Sequence, residues 1–150
     1  MRVAEGILDD GTPVVILKPQ TYMNRSGTAL GPLLATPDFD PARDLLVVVD
    51  EAALPLGRFR FRADGSAGGH NGLKSVQGAL GNQAWARLRI GVGLKPDSMD
   101  LADHVLDPFP ADEWETLTAL VPALVEATDC WTRSGIDEAM NRFNHPRTSP

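Results

Sequence analysis

Two aliphatic runs set the terms on which this 150-residue chain can fold. Leu45-Leu46-Val47-Val48-Val49-Asp50 places five aliphatic residues in a row, and Pro13-Val14-Val15-Ile16-Leu17-Lys18 repeats the pattern more weakly. Runs this short, continuous and β-branched, each closed by a charge, read as strands buried on both faces. Between them, Ser26 or Asn24 is placed to cap a helix that carries Ala29, Leu30, Leu33 and Leu34 and ends near Pro37. The chain is thus expected to open as strand, helix, strand.

The same kind of reading continues to the C-terminus. Arg58-Phe59-Arg60-Phe61-Arg62 alternates strictly, which sends both phenylalanines to a core face and the three arginines to the other. A glycine-rich loop, Gly65 to Gly72, leads into a helical stretch around Leu73, Val76 and Leu80 that Gly81 is placed to stop. Arg87 to Gly93 alternates again, with Leu88, Ile90 and Val92 on one side and Arg87 and Arg89 on the other. Glu113 to Trp131 carries Trp114, Leu117, Leu120, Val121, Leu124 and Val125 at helical spacing despite Pro122, and a last helix is expected from Ile136 to Phe143. Such an order predicts an α/β fold of one domain over residues 1–145, with residues 146–150 a frayed tail.

Composition matters chiefly for what it excludes. The apolar runs fall far short of the roughly 18 residues that span a bilayer, and Met1-Arg2-Val3-Ala4-Glu5 lacks the apolar core of a signal peptide, so a cytoplasmic protein is expected. The single cysteine, Cys130, sits among Leu124, Val125 and Trp131 and reads as core filler. Three scattered histidines and one cysteine give no zinc-type spacing, and no metal or cofactor is expected. The formal net charge of −6 argues against a nucleic-acid partner, but its distribution does not. Between Gly57 and Lys95, seven cations face one carboxylate, Asp64, for a local +6, whereas Pro96 to Cys130 holds nine acids and no Lys or Arg. Either one face meets phosphates or the arginines are a solvated strand face; charge alone leaves both open.

The chemistry is expected in three polar segments: Lys18 to Gly27, Asp50-Glu51 at a strand end, and Gly65 to Gly72. In α/β sheets ligands collect at such strand ends and the loops that follow. The glycine loop fails as a P-loop, because Leu73 precedes Lys74-Ser75, and no Gly-x-Gly-x-x-Gly occurs. What remains is a loop that lets backbone N–H groups approach a ligand, with His70 and Asn71 at a helix N-terminus. A tight turn capped by His70 or Asn71 is the plainer alternative.

Taken together, Lys18-Pro-Gln-Thr-Tyr-Met-Asn-Arg-Ser-Gly27, Asp50-Glu51 with Leu54-Pro55-Leu56-Gly57, Gly65-Ser-Ala-Gly-Gly-His-Asn-Gly-Leu-Lys-Ser75 and Arg87-Leu-Arg-Ile-Gly-Val-Gly93 resemble the bacterial peptidyl-tRNA hydrolase family, in the family's order and over nearly the whole chain. The resemblance implies a three-layer α/β domain around a twisted mixed sheet. It also implies an esterase that frees tRNA from peptidyl-tRNA, normally as a monomer. By that resemblance Tyr22, Met23 and Asn24 line the pocket for the tRNA 3′ end and the peptide, and Asn71 binds substrate and water. A carboxamide suits the task, offering two donors and an acceptor without charge. Asp50 matches the acid that orients the family's catalytic histidine, and Arg62 and Arg89 fall where the family places cations that grip tRNA phosphate.

One departure bears on catalysis. Family members carry Gly-Asn-Pro-Gly and then a His-Asn segment ahead of the Lys-Pro-x-Thr-Tyr-Met-Asn motif, and the residues before Lys18 here contain neither Asn nor His. The expectation is a domain without its N-terminal strand and base histidine, with an exposed sheet edge open to oligomerisation and hydrolysis impaired in the chain as it stands. Three readings follow: a shortened hydrolase, a tRNA- or RNA-binding relative without turnover, and a weak esterase with His70 as substitute base beside Asp50 or Asn71.

Overall fold

The structure, a computed structural model, describes residues 2–18, 27, 30–65, 70–93 and 111–144, the side chains of Arg2 and Asn71 excepted. In chain order the elements are β1 (Arg2–Ile7), β2 (Pro13–Lys18), α1 (Gly31–Leu34), α2 (Pro41–Asp44), β3 (Leu46–Glu51), β4 (Phe59–Arg62), α3 (Asn71–Leu80), β5 (Ala86–Gly91), α4 (Ala111–Ser134) and α5 (Ile136–Phe143). Strands and helices interleave as an α/β fold. The chain gathers into two compact units, Met1–Leu45 with Asp64–Trp85, and Leu46–Ala63 with Ala86–Pro150. Among the described residues no helix is long and apolar enough to cross a membrane. The tail at 146–150 lies outside the described residues.

In the first unit β1 and β2 form an antiparallel hairpin, with Arg2 opposite Lys18 and Ile7 opposite Pro13. Its turn is held by Gly11 N–H on the Leu8 carbonyl (2.9 Å) and Thr12 N–H on Asp10 Oδ1 (2.9 Å), and Gly11 takes the left-handed φ of 90° that the turn needs. The Asp10-Gly11 pair is a recognisable hairpin signal that the apolar-run reading passed over. The strand expected at Pro13–Lys18 forms but is not buried on both faces. Val15 and Ile16 are 45% and 63% exposed, and among the described residues the strand pairs with β1 alone.

Of the helix expected from Ser26 or Asn24, the described residues show the single turn of α1. Pro32 occupies its first turn, where a missing N–H costs nothing; the same residue inside a longer helix would break a hydrogen bond and clash with the preceding turn. Helix α3 matches its expected span. His70 is the N-cap, Leu73 and Val76 are buried, and Gly81 closes the helix at φ 77°, its N–H on the Gln77 carbonyl (2.9 Å).

The second unit is built on a mixed sheet of order β3-β5-β4, with β3 parallel and β4 antiparallel to β5. The alternation of β4 works as expected: Phe61 is fully buried and Arg60 and Arg62 are exposed. Phe61 and Leu88 meet Ala127 and Cys130 of α4 and Ala139 of α5, with Phe59, Ile90, Leu124, Trp131 and Phe143 around them. Cys130 is buried in this core, as its apolar neighbours suggested. Asn144, just past α5, closes the outer edge of β4: its Oδ1 accepts from Phe61 N–H and its Nδ2 donates to the Phe61 carbonyl, both at 2.8 Å. The long helix runs through Pro122 as expected, but its apolar stripe is wider than the surface it covers. Leu124, Ala127 and Trp131 pack on the core while Trp114, Val121 and Val125 stay exposed.

Candidate active site

The glycine-rich segment ends in α3, and its cap is the expected histidine. His70 is extended (φ −82°, ψ 114°), and Leu73 N–H donates to its Nδ1 at 3.2 Å. A neutral imidazole that accepts at Nδ1 carries its proton on Nε2. It therefore presents a donor where a general base needs a lone pair. Asn71 is the first residue of the helix, where backbone N–H groups and the helix field favour developing negative charge. Its side chain lies outside the described residues, as do Tyr22, Met23 and Asn24.

What the structure does describe is how that second polar segment is anchored. Gly27, its last residue, is buried against α3 and donates its N–H to Ser75 Oγ at 2.8 Å. A Cβ at Gly27 would stand 2.2 Å from the Ser75 carbonyl oxygen and 3.0 Å from Ala79 Cβ, so only glycine fits. The tie joins the end of Lys18–Gly27 to the helix that begins at Asn71. Ser75, the last residue of the Gly65–Ser75 motif, supplies the hydroxyl.

Asp50 and Glu51 close β3 in the other unit, and the pleat turns them to opposite faces. Asp50 stands in register with Ile90, and Ile90 with Phe59, on the face that carries the core. Glu51 belongs to the arginine face. Its Oε2 accepts from Arg89 Nη1 at 2.5 Å, and its Oε1 accepts from Ala53 N–H at 3.0 Å. Leu54 and Val92 N–H groups both donate to the Glu51 carbonyl, at 3.4 and 3.2 Å, and fold the Asp50–Gly57 turn onto the end of β5. Gly91 is required there, since a Cβ would meet the Pro55 carbonyl oxygen at 2.1 Å.

The arginine face differs from the row of solvated cations that alternation suggests. Arg62 lies opposite Arg87 and Arg60 opposite Arg89 across the β4–β5 ladder. On β4 the arginines are exposed, but on the central strand β5 Arg87 is fully buried and the Arg89 side chain is only 22% exposed against Glu51. The two less exposed arginines sit on the central strand, flanked by β3 and β4, whereas β4 is an edge. Periodicity told which residues share a face, but not which of them reach water. Nor did it single out Glu51, Ser75 or Asn144, which act through partners far away in sequence; for Glu51 its place two residues beyond Val49, the neighbour of Arg89, was the signal.

Comparison with known proteins agrees with this geometry. The peptidyl-tRNA hydrolase family model matches residues 1–150. A peptidyl-tRNA hydrolase of Chloroflexus aggregans is 44% identical over 143 residues, covering 95% of this chain and 76% of the relative. One from Synechococcus sp. (strain JA-3-3Ab) is 50% identical over 129 residues, covering 86% and 57% respectively. The crystal structure of the Acinetobacter baumannii peptidyl-tRNA hydrolase superposes with a TM-score of 0.83 at 29% identity, covering 95% of this chain and 71% of that one. The motifs quoted from the sequence, their pairing through Gly27–Ser75 and Glu51–Arg89, and these likenesses agree: the chain belongs to the peptidyl-tRNA hydrolase family.

Proposed function

We propose that the chain works on peptidyl-tRNA, as a hydrolase of the ester between the peptide and the tRNA 3′ end. Water adds to the ester carbonyl, the tetrahedral oxyanion collapses, and the 3′ hydroxyl leaves with the proton that the water gave up. The observation that carries this reading is the Gly27–Ser75 tie, which holds the residue that ends the Lys18–Gly27 motif against the helix that begins at Asn71. In this reading the carboxamides of Asn24 and Asn71 hold the water or the forming oxyanion, and Tyr22 and Met23 wall the 3′ end and peptide. Asp50 serves as the acid that orients a base histidine. Arg62 and Arg89 contact tRNA phosphates, which supply affinity and register rather than choice of ester. The chain is taken to act as a cytoplasmic monomer.

The capping of Leu73 N–H by His70 favours a second reading, binding of tRNA without turnover, because it engages the lone pair that the proposed substitute base would use. The two are separated by incubating the chain with N-acetylaminoacyl-tRNA and, in parallel, measuring its affinity for uncharged tRNA. Release of the N-acetylamino acid above the uncatalysed rate supports hydrolysis. Salt-sensitive binding without release supports the second reading, and the absence of both removes each. Activity that survives when His70→Ala leaves the chain folded excludes the histidine as base. Arg62→Ala is expected to weaken tRNA binding and lower its salt slope by about one.

A further inference from the structure

We infer that Glu51 is a positioning residue: its carboxylate holds the Arg89 guanidinium in the orientation that binds tRNA phosphate. The inference rests on the functional reading above and adds a residue to it. A carboxylate on a phosphate-binding face is costly, since it repels the ligand, so its presence beside Arg89 needs a reason. The geometry supplies one. Arg89 stands directly across the ladder from Arg60, and two like charges so placed push each other apart. A long side chain in that position is driven away from its neighbour unless something fixes it. Glu51 comes from β3, on the side of β5 away from β4, and draws Arg89 toward the end of β3 through Nη1 at 2.5 Å. The two side chains are 22% and 20% exposed, so the pair is shielded from water and screened less than a surface bridge.

The carboxylate is itself held, which distinguishes it from a mobile counter-ion. Its second oxygen accepts from Ala53 N–H at 3.0 Å, and the Leu54 and Val92 N–H groups donate to its main-chain carbonyl. Glu51 is therefore part of the rigid turn that closes β3 over Gly91. A guanidinium is a rigid planar fork of donors, so the bond from Arg89 Nη1 to Glu51 Oε2 fixes the plane in which that fork lies. Lysine at this place would keep the charge but lose the plane.

The sign of one measurement separates positioning from mere charge balance. Glu51→Gln keeps an acceptor for Ala53 N–H and raises the net charge by one. If Glu51 only balanced charge, uncharged tRNA would bind the variant as well as, or better than, the wild type. If Glu51 positions Arg89, binding weakens by roughly 3- to 10-fold, and the salt slope falls by about one as a phosphate contact is lost. In an Arg89→Lys background the further change Glu51→Gln should then alter affinity little. Should Glu51→Gln fail to fold by thermal melting, Arg89→Lys alone carries the test: several-fold weaker binding supports an oriented fork, and unchanged binding overturns it. Wild-type chain that ignores tRNA would bring down the functional reading and this inference with it. Wild type that binds, with Glu51→Gln binding equally or more tightly, overturns the inference alone.

Discussion

The β1–β2 hairpin and the β3-β5-β4 sheet are written in similar residues and meet different fates. Both contain a continuous aliphatic run, yet Val15 and Ile16 of the hairpin remain open while Phe61 and Leu88 of the sheet are closed off almost completely. The difference lies outside the strands. In the second unit α4 and α5 bring Ala127, Cys130 and Ala139, all small enough for the helices to approach closely, and the phenylalanines fill the remaining space against Phe143. Even within that sheet the protection is uneven, since Val48 on β3 is 52% exposed. An apolar run states that a strand wants cover; only the rest of the chain determines whether cover arrives.

The strongest way to break the contrast is to remove the phenylalanine at its centre. Phe61→Ala deletes a fully buried ring from the sheet and is expected to destabilise its unit by about 3–5 kcal/mol. Ile16→Ala, in the open hairpin, is expected to cost well under half of that, because most of the side chain already meets water. Urea unfolding of both variants checks the pair, and equal losses would show that the hairpin is covered after all. Asn144→Ala comes next. It strips the partners from Phe61 N–H and C=O at a partly shielded edge, with an expected loss of about 2–3 kcal/mol in the same assay.

Glycine substitutions sharpen the comparison at a smaller scale. A Cβ at Gly27 collides with the Ser75 carbonyl, so Gly27→Ala should cost about 1–3 kcal/mol and loosen the tie between the two polar segments. Gly6→Ala in β1 meets nothing within 4 Å and should be neutral within about 0.5 kcal/mol. Thermal melting of the two variants reads the difference. Gly27→Ala should also impair turnover or tRNA binding, whereas Gly6→Ala should leave both alone.

These residues mark what the sequence could and could not disclose. Local information was enough for α3, where a cap, an apolar stripe and a terminal glycine agree, and for α5, whose expected and observed spans coincide. The alternation of β4 was equally plain. Extents depended on single residues whose effect is steric, as when Pro32 falls in the first turn of α1. Site residues were legible where the family motifs name them, but the contacts that hold those motifs were not. Gly27 with Ser75 and Glu51 with Arg89 are separated by 48 and 38 positions, and no periodicity connects them. Arg87 and Arg89 share one alternating face with Arg60 and Arg62, and only the order of strands separates those enclosed by neighbours from those on the edge.

The smallest expected effect concerns charge in the first unit, where apolar cover is thinnest. Arg43 Nε and Nη2 donate to the two carboxylate oxygens of Asp44 at 2.7 and 2.9 Å, and Asp40 N–H adds a third bond at 3.0 Å. These bonds, the Arg43 guanidinium first, hold the Asp44 carboxyl below its ordinary value against a weaker opposing effect of burial. A lowered folded-state pKa contributes stability that is fully present above the ordinary carboxylate value, about 4, and is lost as pH falls through the lowered one. Because the pair is open to solvent, the contribution at neutral pH should stay below about 0.5 kcal/mol. Asp44→Asn should therefore differ from wild type slightly at pH 7, less in high salt, and progressively less as pH falls below the ordinary carboxylate range. A difference of more than about 1 kcal/mol at neutral pH would mean that α2 is held by its charges far more than a surface pair allows. The first unit would then compensate electrostatically for the cover its hairpin lacks.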